Sequence, residues 1–396
     1  MTEIRILTAG ESHGQGLAGI IEGMPAGVPV DRDQINHQLA RRQQGYGRGG
    51  RMKIESDQAE ILSGIRFGKT LGSPIAILVF NRDWTNWKKR MDPWTGEDPE
   101  PVTVPRPGHA DLPGAIKYGH SDLRNILERA SARETAMRVA IGAVFRQFLG
   151  LFGIWFGGHV IQIHQAKTGH TFRRLGDQPP DIACREIRRI VTQADASPVR
   201  CGDPDAEKAM MGTIDAAREK GDSVGGVFEL AALEVPPGIG SHVMWDRRLD
   251  ACIAADIMSI PAIKGVEIGA GVEAAAGWGS EIHDPIVKKK GRYPGFASNR
   301  AGGMEGGISN GDPVIVRAAM KPIPTLTVPL PSVDMSTGKS VNAHKERSDV
   351  CAVPAACVVG EAMLAISIGK NFMETFGGDS LDQIRKRMEE SGHGSD

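Results

Sequence analysis

Residues 131–148, SARETAMRVAIGAVFRQF, decide the fold class. The first four residues match the S-x-x-E capping box, and an apolar run follows from Met137 to Phe148. A long helix is therefore predicted here, and a second one at 353–372. Helices and short strands alternate along the chain without strict βαβα order. This mixture predicts an α+β protein with layered elements rather than a doubly wound sheet.

Apolar spacing and capping residues predict the remaining elements. We expect a helix capped by Asp31 or Asp33 that ends near Gly45, and another capped by Asp246. Further amphipathic helices are predicted at 181–193, 205–220 and 381–390. Strands are predicted at 5–8, 227–235, 266–268 and 312–320.

The amino-acid composition excludes some classes of protein and favours others. The 396 residues include 50 glycines, well above the usual ~7%, and the net charge is −1. A non-specific binder of nucleic acid or of membrane surfaces normally carries a basic excess, which this chain lacks. Five cysteines without a C-x-x-C pair favour a reducing compartment, and we expect a cytoplasmic protein. The apolar segment 350–369 contains Pro354 and Glu361, which favours a buried helix over a membrane span.

Basic residues are concentrated in glycine-rich stretches and near predicted helix starts. They are Arg41, Arg42, Arg48, Arg51, Lys53, Arg106, Arg129, Arg133 and Arg347. Arginines beside glycines and helix N-termini are typical of phosphate and carboxylate sites. The pattern favours a small ligand with several negative charges.

Two histidines lie in glycine-flanked turns. His13 is in G-E-S-H-G and His109 is in R-P-G-H-A-D, where an imidazole is presented rather than packed. Histidine is the side chain suited to proton transfer near neutral pH. Ser12 and His13 are adjacent, so their side chains diverge and do not form a nucleophile–base pair. The histidines His159, His164 and His170 are expected to be surface or core residues of a loop-rich segment, and no metal-ligand spacing is present.

The glycine-rich basic stretch has two other interpretations, of which one remains open. The segment GYGRGG at 45–50 matches G-x-G-x-x-G, but it follows a polar run instead of a strand, which excludes a dinucleotide-binding fold. The stretch from Arg41 to Lys53 could instead bind RNA, although Tyr46 is its only aromatic residue. A steep salt dependence of RNA binding would support that alternative.

Seven sequence blocks, in order, resemble the chorismate synthase family. The three longest are GESHGQGLAGIIEGMP at 10–25, ERASARETAMRV at 128–139 and the block at 347–361 that begins RSDVC. The four shorter ones are RPGHAD at 106–111, KGVEIG at 264–269, SNRAGG at 298–303 and KPIPTL at 321–326. The resemblance covers nearly the whole chain and fails only in about the last fifteen residues.

This resemblance implies a fold and an activity. The fold is a layered β-α-β sandwich, with antiparallel sheets flanking a layer of long helices, in one domain over 1–396. Beyond the resemblance, the amphipathic pattern predicts a C-terminal helix followed by a polar tail from about 381 to 396. The implied reaction is the anti-1,4 elimination of phosphate from 5-enolpyruvylshikimate-3-phosphate to give chorismate. It requires reduced FMN without net redox change, and the family assembles as a homotetramer. The alternative that stays open is another FMN-dependent phosphate-ester lyase that acts on a different anion. Because no reductase module is evident, we expect reduced flavin to come from an external reductant, with NADPH as the alternative source.

The resemblance also assigns roles to individual residues. His13 would protonate the leaving phosphate, His109 would protonate or steady the reduced flavin near N1, and Asp349 would assist proton removal through flavin N5. Ser131 would hydrogen-bond where flavin and substrate meet. Arg42 and Arg48 would bind NADP(H) or substrate phosphate, and Arg106, Arg133 and Arg347 would hold anionic groups. The expected FMN contacts are Arg129, Ala130, Ser131, Pro261, Ala262, Gly306, Lys321, Pro322, Ile323, Pro324, Thr325 and Arg347. Pro261 stands where the family often has an amide side chain, and it offers only a carbonyl or packing.

Overall fold

Two antiparallel sheets enclose a layer of helices. The computed structural model describes residues 3–48, 56–96, 98, 100–288, 294–344 and 349–392. Within these residues the helices are α1 Arg32–Gln43, α2 Trp84–Trp87, α3 Asp111–Tyr118, α4 Arg124–Ala130, α5 Thr135–Gly150, α6 Pro180–Ala196, α7 Pro204–Glu219, α8 Leu249–Met258, α9 Gly279–Ile282, α10 Val353–Phe376 and α11 Leu381–Glu390. Short 3₁₀ turns lie at Ala132–Glu134, Arg173–Asp177, Trp245–Arg247 and Gly271–Ala276.

The strands of the described residues are short. They are β1 Arg5–Gly10, β2 Gly16–Glu22, β3 Glu60–Ser63, β4 Ile65–Arg66, β5 Lys69–Thr70, β6 Ile75–Phe80, β7 Trp155–Ile163, β8 Ala166–Lys167, β9 Gly226–Leu233, β10 Ile263–Ile268, β11 Ile286–Val287, β12 Gly295–Phe296, β13 Met304–Glu305, β14 Ile308–Ser309, β15 Val314–Met320, β16 Pro331–Val333 and β17 Ser340–Asn342. One sheet has the strand order β1-β2-β6-β3 and the other β10-β15-β9-β7-β8. All pairings in both sheets are antiparallel.

The middle layer consists of α1, α5 and α10. Helix α5 packs on β2 and β6 of the four-stranded sheet, and α10 packs on β7 and β9 of the five-stranded sheet. Helices α5 and α10 also pack on each other. This arrangement confirms the predicted α+β class with a helix layer between antiparallel sheets.

Helix α10 is a core helix. It is long and apolar enough to cross a membrane, but 94% of its apolar window is buried inside the protein. Its one carboxylate near the middle, Glu361, forms ion pairs with Arg41, Arg146 and Arg200. The prediction of a buried helix is therefore confirmed, and the charge at its centre is explained by three cations.

Three local predictions are wrong in detail. Ser131 accepts a hydrogen bond from Arg133 N and caps a 3₁₀ turn that precedes α5. Glu134 does not complete the capping box on Ser131, because its carboxylate pairs with Arg138 one turn later. Asp246 lies inside a 3₁₀ turn, and the residue before α8 is Arg248. His159 is a fully buried core residue, one of the two places expected for it, but it lies in strand β7 instead of a loop.

Candidate active site

The turn between β1 and β2 presents Ser12 and His13, and its backbone is fixed from two sides. Ser12 N donates to the carbonyl of Glu128 at 3.0 Å. The amide nitrogen of the Asn81 side chain, just after β6, donates to the carbonyls of Glu11 and Gly14 at 3.1 and 2.8 Å. The strand ends of the sheet and helix α4 therefore set the position of the His13 backbone.

The His13 ring is held on an edge and on a face. Its Nδ1 lies 2.8 and 3.0 Å from the two carboxylate oxygens of Glu128, and its backbone N–H donates to the same carboxylate at 2.7 Å. The indole of Trp87 stacks on the ring at a centroid distance of 4.0 Å. Arg124 donates to Glu128 at 3.1 Å and lies over Trp87. The imidazole is only 15% exposed, so it is more enclosed than the sequence indicated.

His109 is held in the same way just before α3. Its Nδ1 lies 2.6 Å from Asp111 Oδ1, and the Arg106 guanidinium donates to the same carboxylate at 2.9 Å. Burial alone would raise the pKa of Asp111, but hydrogen bonds from His109 and Arg106 outweigh it and hold that pKa well below its usual range. Arg106 also donates to Thr325 Oγ1 at 3.1 Å. Arg106 is thus occupied in joining the His109 turn to the segment at 321–325.

Ser131 and Arg129 lie beside the His13 turn. Ser131 Oγ donates to Ser12 Oγ at 3.2 Å, so the two serines meet across the β1–β2 turn and the end of α4. Arg129 donates to the carbonyls of Thr8 and Gly10 at 3.0 and 3.2 Å. The expected flavin-contacting run at 129–131 therefore adjoins His13.

Three arginines surround one buried carboxylate and its neighbour. Asp57 accepts from Arg42 at 2.9 Å and from Arg133 at 2.6 Å, and Arg48 pairs with Asp349 at 3.1 Å. Burial lowers the pKa of Arg42, and the charges of Arg133 and Arg48 lower it further. The attraction of Asp57 raises this pKa in part, and the net result is a value of about 10. Burial would raise the pKa of Asp57, but the guanidiniums of Arg42 and Arg133 outweigh it and lower that pKa. These ion pairs bring three guanidiniums together, and guanidiniums are the side chains that bind phosphate and carboxylate groups most specifically.

The burial of Arg41 and Arg42 argues against the RNA-binding interpretation. Arg41 and Arg42 are 7% and 5% exposed, and both are paired with carboxylates inside the protein. A sequence-tolerant RNA groove instead needs cations and aromatic rings on an accessible surface. Arg51 and Lys53 lie outside the described residues.

Several expected flavin-contacting residues meet near the His109 turn. Lys321 N donates to the Ala262 carbonyl at 3.0 Å, and Lys321 Nζ donates to the Gly108 carbonyl at 2.5 Å. The Ile323 carbonyl accepts from Ser223 Oγ at 2.6 Å. Ala262 has a φ of 68°, a conformation that non-glycine residues seldom adopt. Residues 261–262 and 321–325 therefore form one continuous surface with His109.

Among the described residues, Gly306 is an expected contact that lies apart from this surface. Gly306 lies in the β13–β14 turn, whose neighbour Gly307 accepts from Leu249 N at the start of α8. Ala262 follows the other end of α8, and ten helical residues span about 15 Å. Arg347 lies outside the described residues.

Sequence reasoning missed the residues that hold the catalytic candidates. Glu128 and Asp111 lie in the blocks that carry the family resemblance, but they received no role. The available signal was an acidic residue close to an arginine, since both carboxylates pair with arginines four or five positions away. Asp57 and Trp87 gave no such signal, because they reach the site only through the tertiary fold.

Comparisons with known proteins identify similar chains. The family profile described as "Chorismate synthase" matches residues 4–373. A chorismate synthase of Aquifex aeolicus (strain VF5) is 55% identical over 389 residues, which cover 98% of this chain and 97% of the relative. One of Pelobacter propionicus is 54% identical over 395 residues, covering 98% of each chain. A solved structure described as "Crystal Structure of Chorismate Synthase" aligns with a TM-score of 0.78 at 46% identity, covering 98% of this chain and 97% of that one.

Proposed function

The chain belongs to the chorismate synthase family, and we propose that the residues around His13 and His109 carry out this family's reaction. That reaction is the elimination of phosphate from 5-enolpyruvylshikimate-3-phosphate to give chorismate, a step of the shikimate pathway of aromatic amino acid biosynthesis, and it makes the protein a lyase. The observation that carries the assignment of residues is the pair of histidines, each held at Nδ1 by a buried carboxylate.

The arginines fit the charge of the substrate. Two carboxylates and a phosphate give roughly four negative charges near neutral pH. Arg42, Arg48 and Arg133 lie close together around Asp57 and Asp349. Guanidiniums bind phosphate and carboxylate groups with two parallel hydrogen bonds, which supports binding of the substrate phosphate or of NADP(H) at Arg42 and Arg48.

The residues also fit a flavin mononucleotide. The family requires reduced flavin. Arg129 adjoins the His13 turn and Lys321 adjoins the His109 turn, so the expected contacts supply cations for the flavin phosphate. A side chain at Gly306 would meet nothing within 4 Å, and this glycine has a φ of 59°, so its backbone is open to a ligand. Residues 129–131, 261–262, 306 and 321–325, together with Arg347, are the proposed contacts. When bound, reduced FMN supplies the electron density that a side-chain base lacks for removing a weakly acidic hydrogen.

The protein's own residues hold and move the protons. His13 delivers a proton from Nε2 to the departing phosphate, because its Nδ1 is engaged by Glu128. His109, engaged at Nδ1 by Asp111, protonates or steadies the flavin edge. Asp349 assists removal of the ring hydrogen, and Ser131 hydrogen-bonds at the contact of the two ligands. Arg106 and Arg133 complete the positive surroundings of the substrate, chiefly by fixing neighbouring side chains.

We place a second copy of the chain on the outer face of the four-stranded sheet, as part of a homotetramer. In register across this face, Leu7 lies opposite Ile20, which in turn lies opposite Ala76. Leu7 and Ile20 are 69% and 41% exposed, and Phe80 on the same sheet is 51% exposed. A sheet face of alternating large and small apolar residues and few charges complements a copy of itself.

The cytoplasm is the proposed compartment, since all five cysteines are free thiols, as a reducing environment requires. Reduced flavin would be delivered by an external reductant. Turnover in air with NADPH and FMN as the only reductant system would show instead that the chain reduces its own cofactor.

The function is tested by an anaerobic assay. The purified full chain is mixed with dithionite-reduced FMN and 5-enolpyruvylshikimate-3-phosphate, and phosphate release is followed together with product absorbance. We expect equal amounts of phosphate and chorismate over many turnovers of a fixed amount of FMN. Absence of phosphate release from folded protein would refute the proposed function.

A further inference from the structure

We propose that Glu128 is a positioning residue that fixes the proton of His13 on Nδ1 and so makes Nε2 the nitrogen that exchanges protons. This inference rests on the proposed function for the role of His13. It concerns the chain's own residues and needs no bound ligand to be tested.

The geometry around Glu128 leaves one assignment of the ring proton. An ionised carboxylate only accepts hydrogen bonds, so a ring nitrogen 2.8 and 3.0 Å from its oxygens must be the donor. The same carboxylate accepts the His13 backbone N–H at 2.7 Å, and Arg124 donates to it at 3.1 Å. The Glu128 side chain is 1% exposed, so water does not compete for these bonds. Nδ1 therefore keeps its proton in both charge states of the ring, and Nε2 gains and loses one.

The ring orientation is fixed as well as the tautomer. Trp87 covers one face of the imidazole at 4.0 Å, with an interplanar angle of 27°. Arg124 contacts both Glu128 and Trp87, which ties the two supports together. Rotation of the ring would break the bonds to Glu128 and the stacking on Trp87 at once.

The His109 turn repeats this construction independently. Asp111 Oδ1 lies 2.6 Å from His109 Nδ1, the carboxylate accepts from Arg106 at 2.9 Å, and its side chain is 1% exposed. Arg106 Nη2 also lies 3.1 Å from His109 Nδ1, but the shorter contact with Asp111 favours a proton on Nδ1. Both histidines thus belong to an arginine–carboxylate–histidine arrangement. The carboxylates come from different helices, α4 and α3, so each arrangement serves as the control for the other.

The variant Glu128→Gln tests the proposal with little change in volume. Arg124 keeps a second carboxylate, because its Nε lies 3.4 Å from Asp98. Both carboxylate oxygens of Glu128 contact Nδ1, so the amide replaces one of these two acceptors with an NH₂ donor and weakens the preference for a proton on Nδ1. We expect the neutral His13 ring to move its proton to Nε2 in this variant.

The readout is the ¹⁵N spectrum of histidine-labelled full chain, with signals assigned from His13→Ala and His109→Ala. In the wild type we expect protonated Nδ1 for both rings. Glu128→Gln should convert the His13 Nδ1 signal to the unprotonated type and leave His109 unchanged, and Asp111→Asn should do the reverse. A wild-type His13 signal in folded Glu128→Gln protein would overturn the proposal.

Kinetics provide the second readout. In the anaerobic assay, Glu128→Gln should lower kcat for phosphate release by at least about 10-fold, and by no more than the roughly 10²–10⁴-fold expected for loss of His13. KM should change less than kcat, because the arginines that bind the anion are untouched. Glu128→Asp, which retains a carboxylate, should recover part of the rate. If the wild type is inactive, the proposed function is refuted, and the ¹⁵N spectrum alone decides the role of Glu128. If the wild type is active and Glu128→Gln is equally active, only the proposed role of Glu128 is refuted.

Discussion

Glu361 shows what one buried carboxylate contributes at the scale of a residue. Its side chain is 1% exposed and contacts Arg41, Arg146 and Arg200 at 2.7–2.9 Å. Burial would raise the pKa of Glu361, but the three guanidiniums outweigh it and lower that pKa to about 2 from 4.5. The ionised form is therefore favoured by folding.

Glu361→Gln should destabilise the protein near neutral pH by about 3–5 kcal/mol, because it leaves buried cations without their partner. Since the folded pKa is depressed, the stabilisation from Glu361 is fully present above pH 4.5 and is lost as pH falls toward about 2. Between pH 4.5 and about 2, the free energy of unfolding should therefore decrease less in the Glu361→Gln variant than in the wild type. Denaturant unfolding at several pH values measures both effects.

The matched control is Glu390→Gln, since Glu390 pairs with Lys386 at 3.9 Å and both side chains are more than half exposed. Its cost should stay below about 1 kcal/mol. Equal losses from the two variants would contradict a special role for the buried network.

Single residues also mark what the sequence could not predict. His13 and His109 were identifiable because they lie in short glycine-flanked motifs. Asp57 binds Arg42 and Arg133 only because three distant segments fold together, and nothing local to Asp57 indicates this. Glu134 illustrates the opposite case: its local pattern predicted a capping box, but its carboxylate pairs with Arg138 one turn later.

At the scale of elements, close packing of helices α5 and α10 explains why Gly142 carries no side chain. A Cβ on Gly142 of α5 would lie 2.5 Å from the Ala362 side chain and 2.8 Å from its carbonyl oxygen on α10. The helices approach this closely because neither position carries a larger side chain. The middle layer therefore depends on small residues as well as on apolar ones.

Gly142→Ala should destabilise the protein by about 1–3 kcal/mol through overpacking, although alanine is the better helix former. Gly212→Ala in α7 is the matched control, since a Cβ there meets nothing within 4 Å. It should stabilise by up to about 1 kcal/mol. Thermal unfolding of both variants separates packing from propensity, and a stabilised Gly142→Ala would contradict close packing of α5 on α10.

Elements with strong periodicity were predictable, and short ones were not. Helix α11 matches its predicted bounds, 381–390, and the predicted 353–372 helix extends four residues further in α10. Two-residue strands such as β11 and β13 carry no detectable period, because pairing across a hairpin defines them.

At the scale of the whole molecule, the order of helices and strands in the sequence predicted the α+β class. The sequence did not predict what covers the outer face of the four-stranded sheet.

Leu7→Glu would place a charge in the proposed contact between copies, at a position that is 69% exposed in the single chain. We expect a lower molar mass by light scattering with the fold retained by circular dichroism. Ile116→Glu, at a position 73% exposed on α3, should leave the mass unchanged. An unaltered mass for Leu7→Glu would place the contact elsewhere.

The central claim is that two carboxylate-held histidines serve one elimination reaction. The most direct measurement is the rate of phosphate release by wild type, His13→Ala and His109→Ala with anaerobically reduced FMN at saturating substrate. The account predicts that each substitution slows release by about 10²–10⁴-fold in folded protein. Wild-type rates for either variant would contradict it.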